Sequence, residues 1–273
     1  MQNRNTIAAV LFILLISSAI YFYTRPKKAI SEGISDLVPG SGKITILYND
    51  YVYDTKLRAE PGLSILVESP QLVVLFDTGG DTQILQDNIE VLGVNISKVD
   101  CIVLSHEHWD HLGGLEYVLS KNPGIPVYVP GEYSQYLEDN IESFGGKCVP
   151  LGNATKLCDS IGVTNTIYGT YDEQGLVVMT GDGLFLLAGC GHAGIENIAS
   201  DVVKSSGENI SLILGGFHTS SLVHACDVLD EIGVDRVAPI HGGLSAATLE
   251  YLETRYGDNY IQSGVGFILD YHN

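Results

Sequence analysis

The sequence predicts an α/β fold, a four-layer αββα sandwich of two mixed β-sheets flanked by helices. Three observations predict it. Closely spaced apolar runs rich in β-branched residues open each half of the chain. Strand–helix alternation closes each half. Six of the eight histidines stand at the C-terminal ends of such runs, mostly beside glycine.

The elements follow in chain order. Residues 7–23 form an apolar run of 17 residues without a charge. That is the short limit for a membrane span. Arg4 precedes the run and Arg25, Lys27 and Lys28 follow it. Residues 1–28 therefore read as an uncleaved N-terminal anchor or a cleaved signal segment. The expected location is membrane-anchored through this segment, or secreted if it is cleaved, with the side of the membrane open. Residues 29–42 read as a linker, and 43–273 as one catalytic domain. Strands are expected at 43–49, 63–69 and 71–77, the last two joined by a hairpin at Pro70. A helix at 82–92 and a strand at 99–104 come next. The spacing of Leu112, Leu115, Val118 and Leu119 predicts a further helix. The second half repeats the theme. Strands are expected at 163–169, 175–181 and 183–189. Strands at 210–216 and 236–240 then alternate with helices at 193–205, 219–231 and 244–256.

Composition narrows the function. With 45% hydrophobic and 17% charged residues the chain is globular. A net charge of −19 argues against nucleic acid as a partner, because phosphates would be repelled. Five cysteines without a CxxC pair argue against a disulfide framework and against a cysteine-based zinc site. Most read as buried thiols. Cys190 stands apart because it precedes His192 by two residues.

The densest chemistry is "SHEHWDHLGG" at 105–114, a turn between a buried strand and a helix. In layered α/β folds ligands gather at the C-terminal ends of strands. Neutral imidazole and carboxylate are the usual ligands of zinc and related metals. Asp77, in "FDTGG", ends another strand. His192 lies in "GCGHAG", His218 in "GGFH" and His241 in "PIHGG". One histidine at a strand end is ordinary; six point to a shared metal site. His224 and His272 read as structural or solvated.

Together these motifs resemble the metallo-β-lactamase superfamily over residues 43–273. The resemblance implies the same αββα fold and a metal-dependent enzyme. Carried onto this sequence, it implies that His106, His108 and His192 hold one metal. Asp110, His111 and His241 hold a second, with Asp77 orienting a ligand histidine. The implied cofactor is one or two divalent ions, zinc first, with manganese or iron as alternatives. Asp110 and His218 are the expected catalytic residues. The implied reaction is hydrolysis of an ester, lactone, amide or phosphodiester of a small molecule by a metal-bound hydroxide.

Gly216 stands where the resemblance puts an aspartate that bridges the metals. His218 is expected to compensate, by contacting the second metal or by binding substrate. "GCGHAG" with "GGFH" resembles one subgroup, the 7,8-dihydropterin-6-yl-methyl-4-(β-D-ribofuranosyl)aminobenzene 5'-phosphate synthases. Thr219 and Gly242 depart from its pattern. A condensation of that kind is the alternative enzyme reading. A metal-binding sensor without turnover is the alternative outside enzymes.

Overall fold

The computed structural model describes residues 31–273 apart from Gly243. The first half supplies strands β2 (Gly42–Tyr48), β3 (Ser64–Glu68), β4 (Val73–Phe76), β5 (Cys101–Val103), β6 (Pro126–Pro130) and β7 (Lys147–Leu151). Its helices are α1 (Thr82–Leu92), α2 (Trp109–Leu112), α3 (Leu115–Lys121) and α4 (Gln135–Ser143). The second half supplies β8 (Thr155–Lys156), β9 (Ile161–Val163), β10 (Leu176–Thr180), β11 (Gly183–Leu187), β12 (Ile210–Gly215) and β13 (Arg236–Pro239). Its helices are α5 (Ile195–Ser206), α6 (Leu222–Glu231) and α7 (Ala246–Tyr256). Strands β1 (Ser31–Glu32) and β14 (Ile268–Tyr271) come from the two ends of the described chain.

Two seven-stranded sheets result, β14-β2-β3-β4-β5-β6-β7 and β1-β8-β9-β10-β11-β12-β13. In the first, β2, β3 and β4 are antiparallel, and β4 to β7 run parallel. In the second, β9, β10 and β11 are antiparallel, and β11 to β13 run parallel. Both sheets are mixed, as the sequence predicts.

Alternation along the strands builds the layers. Successive side chains point to opposite faces. Val74 and Phe76 enter the inter-sheet core with Leu212, Leu214 and Ala238 from the other sheet. Leu75 faces the opposite way, onto Leu85, Val118 and Ile141 of the helices. Ile213 does the same against Ile198, Val202 and Ala225. Strands covered on both faces read as continuous apolar runs, which is why LVVLFD and ISLILG show no polar alternation.

Four expectations are corrected. Among the described residues no helix is long and apolar enough to cross a membrane. Membrane anchoring, membrane partnership and a membrane location are therefore not supported, and the segment at 7–23 that suggested them lies outside the described residues. The supposed linker is part of the fold from residue 31 on. β1 pairs with β8, Ile34 is fully buried, and Gly40 N–H donates to the Met179 carbonyl. The expected strand at 163–169 ends at Val163, because Ile167 and Glu173 exchange backbone hydrogen bonds across a tight loop. Finally, β14 pairs antiparallel with β2 and adds a short edge strand that the expected elements do not include.

Candidate metal centre

The C-terminal ends of the parallel strands in both sheets meet at one edge. Asp77 follows β4, and Ser105 and His106 follow β5. His192 follows β11, His218 follows β12, and His241 follows β13. His108 is the N-cap of the short helix α2, whose first and last turns carry Asp110 and His111. The sequence-expected residues thus converge from both sheets.

They form two adjoining sets. In the first, His106 Nε2 lies 3.0 Å from His108 Nδ1, which lies 3.1 Å from His192 Nε2. In the second, His111 Nε2 lies 3.1 Å from His241 Nε2, and Asp110 Oδ2 lies 3.3 Å from that same His241 nitrogen.

The surrounding partners set which ring nitrogen faces inward. A carboxylate only accepts, so a ring nitrogen bonded to it must carry hydrogen. His111 Nδ1–H donates to Asp77 Oδ2 at 2.6 Å, and His241 Nδ1–H donates to Asp50 Oδ1 at 2.6 Å. Ser105 Oγ donates to Asp77 Oδ2 and so accepts from His106 Nδ1 at 2.9 Å. In all three rings Nε2 is left for the centre. Ring nitrogens about 3 Å apart either share a proton or flank a cation, and imidazoles held by an outer carboxylate are how proteins present ligands to metal. The donor sets fit a divalent metal at each position.

Burial fixes these residues tightly. His111 and Asp77 are fully buried. Asp77 also accepts from Ser105 N–H, and Glu173 accepts from Gly191 N–H at 2.9 Å and Ala193 N–H at 3.2 Å, clamping the loop that carries His192. Asp77 and His241 adopt left-handed backbone, φ 58° and 51°. Such values are costly for residues with a Cβ and persist where the surroundings impose them.

The electrostatics follow the partners. For His111, burial disfavours the charged ring, but the Asp77 charge and hydrogen bond outweigh it and lift the pKa to about 10. For His241, burial is likewise outweighed by Asp110 and Asp50, and the pKa rises to about 12. His106 goes the other way: burial, with His111 beside it, holds it neutral. Burial disfavours a thiolate at Cys190, yet hydrogen bonding to His106, His108, His111 and His192 prevails and holds the thiol far below its usual range.

His218 stands apart from both donor sets. Its ring packs on His192, centroids 4.4 Å apart, and it belongs to neither donor group. Its side chain is exposed, beside the first set and apart from the second. Beside it the Tyr171 ring covers His108 and His192, with centroids 4.1 and 5.1 Å away.

Three participants escaped the sequence. Ser105 is a small polar residue with no signature. Glu173 looked like loop composition. Asp50 could have been found, because it follows β2 as Asp77 follows β4.

A family model of the metallo-beta-lactamase superfamily matches residues 57–196. The chain belongs to that superfamily. Among its relatives is the 7,8-dihydropterin-6-methyl-4-(beta-D-ribofuranosyl)-aminobenzene-5'-phosphate synthase of Methanocaldococcus jannaschii, 27% identical over 73% of this chain and 86% of that one. Among solved structures, the superfamily hydrolase Tm1679, described as metal-dependent, is similar with a TM-score of 0.71 and 25% identity, over 85% of this chain and all of that one. A diphosphatase of the PhnP family shares the fold, with a TM-score of 0.58 and 17% identity, over 85% of this chain and 97% of that one. The superfamily's sandwich architecture is the one seen here.

Proposed function

We propose that this chain is a metal-dependent hydrolase acting on an ester, lactone, amide or phosphodiester of a small molecule. One observation carries the reading. Two donor sets, His106/His108/His192 and His111/His241/Asp110, adjoin at the edge where the two sheets meet. Divalent metal bound there would supply Lewis acidity and a nucleophile at neutral pH.

The chain's own residues do the rest. Asp77, Asp50 and Ser105 hold three imidazoles with Nε2 inward. Asp110 turns one carboxylate oxygen towards His241, leaving the other to orient the attacking water. His218, exposed beside His192, is placed to hold a substrate oxygen or pass a proton to the leaving group. Tyr171 shields His108 and His192 from bulk water.

The metal-loaded chain should hydrolyse at least one substrate in a panel of esters, lactones and phosphodiesters, and lose that activity on chelation. A metal-loaded chain inert across the panel would refute hydrolysis. One observation favours a second reading: the alignment with the M. jannaschii synthase spans most of both chains. That reading requires formation of the dihydropterin-aminobenzene phosphate product by the purified chain, which product analysis detects directly.

A further inference from the structure

Five cysteines are present, and four of them are explained by packing. Cys101 and Cys158 lie in the inter-sheet core, Cys226 lies in the layer under α5 and α6, and Cys148 packs against the layer under α1, α3 and α4. Cys190 is also buried, at 4% exposure, yet it belongs to none of the three hydrophobic clusters. Its surroundings are imidazoles. Sγ lies 3.2 Å from His111 Nε2. It also lies within 4.8 Å of the ligand atoms of His106, His108 and His192, and within the same limit of those of His111 and His241. It is the one residue common to both groups.

The backbone explains how it arrives there. The loop after β11 is laced to the loop after β12: Gly216 N–H donates to the Gly189 carbonyl, and His218 N–H donates to the Cys190 carbonyl. This approach leaves no room for a side chain at 216. A Cβ there would stand 2.4 Å from the Cys190 carbonyl oxygen and 2.7 Å from its Cα. A Cβ at Gly242 would meet the same carbonyl at 2.8 Å. Two glycines, in the loops that follow the neighbouring strands β12 and β13, make way for the cysteine backbone. The carboxylate missing at 216 and the sulfur present at 190 are two sides of one arrangement.

We propose that Cys190 Sγ is the bridging ligand of this centre, joining the metal at His106, His108 and His192 to the metal at His111, His241 and Asp110. This rests on the metal-centre reading above. A thiolate supplies the negative charge that His218 cannot, and it sits between the two sets where His218 lies to one side. Thiolate with imidazole also selects zinc over manganese, because soft sulfur discriminates against hard cations.

X-ray absorption at the zinc edge tests this on the unaltered chain loaded with zinc. The expected result is two zinc ions per chain and one sulfur per zinc at about 2.3 Å, beside nitrogen and oxygen at about 2.0–2.1 Å. Zinc bound with nitrogen and oxygen alone overturns the bridge while leaving the metal centre standing. Half a sulfur per zinc, a sulfur on one metal only, also overturns it. No bound zinc overturns both. Cys190→Ala should retain the first zinc and lose the second, and Cys190→Asp should regain it without the sulfur shell. Two equivalents held as tightly by Cys190→Ala as by the parent would contradict the proposal.

Discussion

Asp77 Oδ2 accepts the His111 Nδ1 proton at 2.6 Å with both side chains fully buried. This bond ties the end of β4 to the histidine turn and fixes a proton on His111 Nδ1, which leaves Nε2 to face the centre. Asp77→Asn removes the charge while asparagine tolerates the left-handed backbone. The second metal set should weaken roughly 10–100-fold, the usual cost of losing an outer carboxylate. Chelator competition measures it. An unchanged affinity would show that Asp77 only packs.

Glu173 closes the loop of His192 from below. Glu173→Ala leaves the Gly191 and Ala193 N–H groups without their partner. At roughly 1–3 kcal/mol for each orphaned buried donor, the chain should lose about 2–6 kcal/mol of stability. Denaturant unfolding reads this out. A loss under about 1 kcal/mol would mean that water replaces the carboxylate.

Metal should exchange for protons. Without metal, His111 and His241 have pKa values raised from 6.5 to about 10 and about 12. Their ion pairs therefore stabilise the metal-free chain fully below pH 6.5, and that contribution fades as pH climbs through 10. Metal must displace these protons, so affinity at the second set should rise with pH between those limits. Calorimetry at pH 8 in buffers of different ionisation enthalpy should show proton release. Uptake without release would mean that both rings are already neutral.

Gly216→Ala should be costly for its size. The added Cβ meets the Cys190 backbone at 2.4 Å, and neither loop has a flexible side chain there to yield. Overpacking of this kind costs about 1–3 kcal/mol. Weaker metal retention should accompany it. A fully stable, fully loaded Gly216→Ala chain would show that the two loops move apart freely.

The sandwich and most of the site were legible because the same feature carries both. Buried strands announce themselves as apolar runs, and ligands at their ends stand out as isolated polar residues against that background. His106, His108, His111, His192 and His241 were singled out this way, and the structure brings them together. What escaped lacked that contrast. The strand Lys147–Leu151 is short and mostly not buried, and Ile268–Tyr271 is a short edge strand. Ser105 and Glu173 act through hydrogen bonds that no spacing rule reveals. His218 was expected to contact the second metal or to bind substrate; it packs on His192 and stands outside both donor groups. The segment at 7–23 offered hydropathy alone, and no spanning helix occurs among the described residues.

Elemental analysis of the purified chain after zinc reconstitution, set against His106→Ala, tests the two-set centre most directly. Two equivalents of zinc in the parent, with one lost in His106→Ala and the fold intact by circular dichroism, is the predicted result. A parent chain with no stoichiometric metal, or a His106→Ala chain that keeps both equivalents, would contradict it.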